Sequence, residues 1–112
     1  MEISCQTLEP DFTLVHLKGR LDASTSPDVK ARLKELITAG HQTLIIDLQD
    51  VPFIDSSGLA SLVSGLRLAR EQGAKLSLTN VQEQAYMVFR LTMLDRIFTI
   101  YPTPEAAQQN LR

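Results

Sequence analysis

The stretch Gln42–Leu48, QTLIIDL, constrains this chain more than any other. It is a near-continuous apolar run of strand length. A strand that shows no alternation reads as one covered on both faces. That calls for helices packed on a sheet, and helical patterns stand on both sides of it. Before it comes STSPDVKARLKELITAG, ending at Gly40. Ser26 suits an N-cap, Pro27 the first helical position, and Asp28 the positive end of the helix dipole. Val29, Leu33, Leu36 and Ile37 fall on one apolar face, and Gly40 is the natural residue beyond the last turn. After it, Ser57–Gln72 reads as a second helix with Leu59, Leu62, Val63, Leu66 and Ala69 on one side, closed by Gly73.

The remainder repeats the alternation. Glu2–Leu8 and Phe12–Gly19 are rich in strand formers and should pair as a hairpin through the Glu9-Pro10-Asp11 turn. Ala74–Asn80 is the next strand. Gln82–Leu94 is helical, with Ala85, Val88 and Phe89 inward and Leu91 a further candidate. Ile97–Tyr101 is a short strand, and Thr103 followed by Pro104 opens a last helix. The order is β-β-α-β-α-β-α-β-α. Strands separated by helices call for right-handed crossovers and a mostly parallel sheet. The expectation is one α/β domain over residues 1–112, with a mixed sheet of four to five strands and an antiparallel hairpin at its start.

Several function classes have no support. The net charge is −2, and the 11 Lys and Arg residues are scattered, so no basic face offers itself to nucleic acid. A single cysteine, Cys5, allows no internal disulfide and no cysteine metal site, and a reducing compartment follows simply. The start, MEISCQTLEPD, has no signal-peptide core, and no apolar run approaches the ~18 residues of a membrane span. A cytoplasmic location is expected, with no membrane and no cofactor. Neither a phosphate-binding glycine loop nor metal-ligand spacing occurs. The G-x-S-x-G elbow is absent. His16 should face solvent or a neighbouring helix, and His41 lies at the sheet edge opposite the serines, so no triad is expected. Asp47, inside the apolar strand, should hydrogen-bond structurally, capping a loop or joining an acidic cluster.

The chemistry concentrates in FIDSSGLASLVSG, Phe53–Gly65. This turn follows a strand, at the carboxyl edge where ligands and sites gather in open α/β sheets. GRLDAST, Gly19–Thr25, also follows a strand and precedes a helix. If the two strands are parallel, Asp22, Asp55, Ser56 and Ser57 share one edge. Asp55 or Ser56 would cap the helix, a contribution of about 1 kcal/mol. A hydroxyl at a helix start is also a good place for a phosphate, because free amides and the dipole favour the added charge. Ser57, Ser61, Ser64 and Gly65 make a small-residue face. It either admits a neighbouring part of the same domain or lets a partner dock closely.

At these residues the chain resembles the STAS domain of the anti-sigma factor antagonist type. LKGRLDAST, then LIIDLQDVPFIDSSGLASLVSGLRLAREQGAKLSLTNV, then LDRIFTIYPTPEAA match in order and spacing, and D-S-[ST]-G is the most telling motif. Met93 stands where many members carry glycine. The resemblance implies a bacterial switch protein, not an enzyme. Its unphosphorylated form binds an anti-sigma factor that is also a GHKL-type serine kinase. The kinase phosphorylates the serine after the motif aspartate, which is Ser56 here, with Ser57 as second choice. A PP2C-type phosphatase reverses this. Asp22, Asp55, Ser56, Ser57, Gly58, Ser61 and Ser64 are then partner-binding candidates, and the free chain is expected to be a monomer. The same family also includes scaffold and transport-associated members that are not phosphorylated.

Overall fold

The computed structural model describes residues 1–9 and 11–111. Strands β1 (Glu2–Leu8) and β2 (Phe12–Lys18) pair antiparallel, with Glu2 opposite Lys18 and Leu8 opposite Phe12. Pro10, in the expected turn between them, lies outside the described residues. Then follow α1 (Ser26–Thr38), β3 (Thr43–Asp50), α2 (Ser56–Glu71), β4 (Lys75–Thr79), α3 (Glu83–Leu91), a 3-10 turn (Leu94–Arg96), β5 (Thr99–Tyr101) and α4 (Pro104–Leu111). The sheet order is β1-β2-β3-β4-β5, and β2 through β5 run parallel.

A parallel sheet laid down in sequential order sends every right-handed crossover to the same face. The main core lies there. Leu33 and Ile37 of α1, Leu62 and Leu66 of α2, and Phe89 of α3 meet Val15, Leu44, Ile46 and Leu78 of the sheet. Helix α4 covers the opposite face, where Ala107 packs with Phe12 and Ile45. Strand β3 is therefore buried on both sides, as its unbroken apolar run requires. Among the described residues no helix is long and apolar enough to cross a membrane.

Three local details differ from the sequence reading. Ser26 is the first residue of α1, not its cap, and Thr25 stands in the cap position without a capping bond. The Thr25 hydroxyl instead donates to Arg20 O (2.7 Å) and accepts from Asp22 N (2.9 Å), which folds the loop before the helix. Helix α3 stops at Leu91, three residues early, because Met93 takes the left-handed φ of +61°. Leu91 is 78% exposed rather than inward. It sits two residues beyond Phe89, about 200° further round the helix, so it points away from the core.

Candidate functional site: the serine turn

Parallel pairing of β2 and β3 brings the two loops to one sheet edge, and the backbone then zips them together. Gly19 N donates to Asp50 O (2.9 Å), Leu21 N to Phe53 O (2.9 Å), and Asp55 N to Leu21 O (3.2 Å). Leu21 and Ile54 form a parallel bridge beyond the ends of the strands. On the other side of Ile54, the Gln84 carboxamide donates to Ile54 O (3.1 Å) and accepts from Ile54 N (3.0 Å). Gln84 thus stands in for a neighbouring strand. Nothing in the sequence pattern marks it, because the pairing spans 30 residues.

Asp55 is the N-cap of α2. Its backbone is extended, and its Oδ1 accepts from Gly58 N at 2.9 Å. That leaves Ser56 at the first helical position. Ser56 is exposed, and no hydrogen bond among the described residues engages its hydroxyl. Ser57 is therefore second in the helix rather than first. It is half-buried and lines a groove of about 410 Å³ with Ser26, Pro27, Lys30, Ala60 and Ser61.

Asp22 is held within its own loop. Its Oδ1 accepts from Ser24 Oγ (2.7 Å) and Ser24 N (3.0 Å). The Ser24 hydroxyl is the main reason its carboxyl titrates below the ordinary 3.8; desolvation opposes this, and the Ser24 and Thr25 amides and the Thr25 hydroxyl add to it. The Arg20 guanidinium lies 3.7 Å from Asp22 Oδ2 and 4.1 Å over the Phe53 ring. Arg20 thereby links the two loops through side chains as well, which sequence reading had not assigned.

The small-residue face is accounted for inside the domain. A Cβ on Gly65 would stand 2.7 Å from Leu33 Cδ1 of α1. Ser61 is only 3% exposed and donates its hydroxyl to Gly58 O at 2.6 Å. It supports the turn from beneath, at the floor of the Ser57 groove. Ser64 is half-buried against the same helix pair, lining a groove with Lys30, Lys34 and Gly65. Of the stripe, Ser57 reaches the surface beside the exposed Ser56, while Ser61 and Gly65 are buried.

The histidines fall elsewhere. His41 Nδ1 lies 2.7 Å from the Thr13 hydroxyl, at the amino edge of the sheet. His16 touches Asp47 Oδ2 through Nδ1 (3.2 Å) and Asp50 Oδ2 through Nε2 (2.8 Å). Asp47 Oδ1 also accepts from Gln49 N and Asn80 Nδ2. Asp47 therefore serves structural hydrogen bonding, tying three strands at their carboxyl ends.

Fold and site together define a small α/β domain that displays a free hydroxyl at a helix start on an exposed sheet edge. The STAS domain family matches residues 6–107, and the chain belongs to that family. It is 32% identical over 95 residues to the anti-sigma-B factor antagonist of Bacillus subtilis, covering 85% of this chain and 86% of that one. The anti-sigma factor antagonist SpoIIAA in its unphosphorylated form superposes with a TM-score of 0.83 at 21% identity, over 99% of this chain and 96% of that one. The phosphorylated form of SpoIIAA from Bacillus gives 0.76 at 21% identity, over 99% and 100%. A sulfate transporter family protein from Wolinella succinogenes gives 0.80 at 16% identity, over 95% and 90%. At these identities the solved structures speak for the fold alone.

Proposed function

We propose that this chain is an anti-sigma factor antagonist working by partner exchange. Its unphosphorylated form binds an anti-sigma factor that is also a GHKL-type serine kinase, and a sigma factor is released. The kinase then transfers a phosphoryl group to Ser56, the complex parts, and a PP2C-type phosphatase restores the starting form. The observation that carries this reading is Ser56 itself: exposed, first in α2, and free because Asp55 has taken the capping role. A phosphate there adds a charge of about −1.5 to −2 beside Asp22 and Asp55. The amino end of α2 tolerates that charge. A partner that brings negative charge of its own to this edge, as a kinase does with the phosphates of its nucleotide, does not.

Asp22, Asp55, Ser56 and Ser57 would frame the contact, with buried Gly58 letting the Leu21 loop close on α2, Ser61 holding the turn from below, and Ser64 set back between α1 and α2. Intact mass of the protein from its own cells, with fragmentation to place any modification, tests the reading. One phosphate on Ser56 supports it. A phosphate on Ser57 keeps the switch and moves the residue. No phosphate in any growth condition sinks the switch and turns attention to a scaffold or transport-associated role.

A further inference from the structure

Helix α3 has two faces of different kinds. Ala85, Val88 and Phe89 pack inward. Glu83, Tyr86, Met87, Arg90 and Leu91 recur at i, i+3, i+4, i+7 and i+8, so they form one outward stripe. Met87 is 55% exposed and Leu91 78%, one turn apart on the stripe, and Met93, 60% exposed, follows in the turn that ends the helix. Scattered singly, exposed apolar side chains need no explanation, but Met87 and Leu91 are neighbours on one helix face.

We infer that this stripe pairs with the same stripe on a second copy of the chain. The argument is its charge order. Glu83 lies one turn before Met87, and Arg90 one turn after it. A two-fold axis beside Met87 sets the two α3 helices antiparallel, Met87 beside its copy and Glu83 of each beside Arg90 of the other. A surface that carries its own complement in this way suits an isologous contact. The antiparallel arrangement also sets the positive end of each helix dipole beside the negative end of the other. Among the described residues neither Glu83 nor Arg90 is engaged in an ion pair. An anionic membrane would call for cations at both ends, yet Glu83 stands at one end of the stripe.

The contact is small. A stable interface covers about 800 Å² on each partner, and a nine-residue helix with one adjoining turn falls short of that. The pairing is therefore weak and concentration-dependent. It departs from the free monomer expected from the sequence, and it leaves the serine turn on a different element.

Sedimentation equilibrium of the whole chain over about a hundredfold range of concentration tests the inference. The weight-average mass should rise from that of one chain toward that of two. Leu91→Glu should weaken the association about tenfold or more. Glu83→Arg and Arg90→Glu should each do the same by setting like charges together, and the double reversal should restore the original affinity. These side chains are exposed, so the variants should keep their melting temperature. Should a single reversal fail to fold, the double reversal and Leu91→Glu still decide. A mass of one chain at every concentration overturns the inference, whatever else the patch then binds. So does association that survives Leu91→Glu, or that the double reversal fails to restore.

Discussion

A Cβ placed on Gly58 would overlap the carbonyl oxygen of Leu21 and stand 2.7 Å from Leu21 Cγ. The glycine of the D-S-S-G motif is thus required by a close approach between two backbones. Leu21 cannot retreat, because its amide is bonded to Phe53 and its carbonyl to Asp55. Gly58→Ala should therefore cost about 1–3 kcal/mol, the usual range for overpacking. Gly65→Ala should cost less, since the atom it meets is the far end of the Leu33 side chain. Urea unfolding of the two variants checks the order. Equal costs would show that the Leu21 loop yields as readily as a leucine rotamer.

Asp22 gives a prediction in pH. Its carboxyl is depressed below 3.8, chiefly by the Ser24 hydroxyl. A depressed carboxylate contributes stability that is full above its unfolded value and is lost as pH falls through the folded one. Ser24→Ala removes the largest cause, so the Asp22 carboxyl should titrate closer to 3.8. Stability lost by that variant at neutral pH should shrink in acid. Carbon-detected NMR titration of Asp22 reads the first effect directly. An unmoved Asp22 would mean that the Ser24 and Thr25 amides and the Thr25 hydroxyl hold the carboxylate without the Ser24 hydroxyl.

The element order was legible because α1, α2 and α3 carry a 3.6-residue stripe, because a Gly or Pro punctuates α1, α2 and α4, and because β3 reads as doubly covered. The shared edge followed once β2 and β3 were parallel. What escaped depends on register and direction. Gln84 against Ile54 and His16 against Asp47 are meetings across 30 and 31 residues that no local pattern encodes. The small stripe of α2 was visible, but only the structure says that Leu33 already fills it. Leu91 is apolar and in the helix, but it stands about 200° round α3 from Phe89, so its apolar character alone misdirects.

That ending carries some strain. Met93 sits at φ +61°, a conformation that costs an L-residue with a Cβ roughly 1–2 kcal/mol. Glycine removes the clash but adds freedom to the unfolded chain. Met93→Gly should therefore stabilise the domain by a net of about 0.5 kcal/mol. Thermal unfolding at several scan rates measures this. A destabilised variant would show that the Met93 side chain contributes more by packing than the backbone loses by strain.

Ser56 separates stability from binding. Its hydroxyl is exposed and unengaged, so Ser56→Ala should change unfolding free energy by less than about 0.5 kcal/mol. Ser61→Ala, which loses a buried bond to Gly58 O, should cost about 1 kcal/mol. Ser56→Asp puts a negative charge in the first turn of α2, where the dipole favours it by about 0.3–1 kcal/mol. The variant that imitates the phosphorylated form should thus be at least as stable as the native chain while binding the kinase poorly. Ser56→Ala should bind the kinase and not be released when ATP is added. Chemical unfolding alongside calorimetric titration of the kinase resolves the two. If Ser56→Asp unfolds more easily, its weakened binding reflects a disrupted turn. The switch would then act through local unfolding rather than through repulsion at an intact edge.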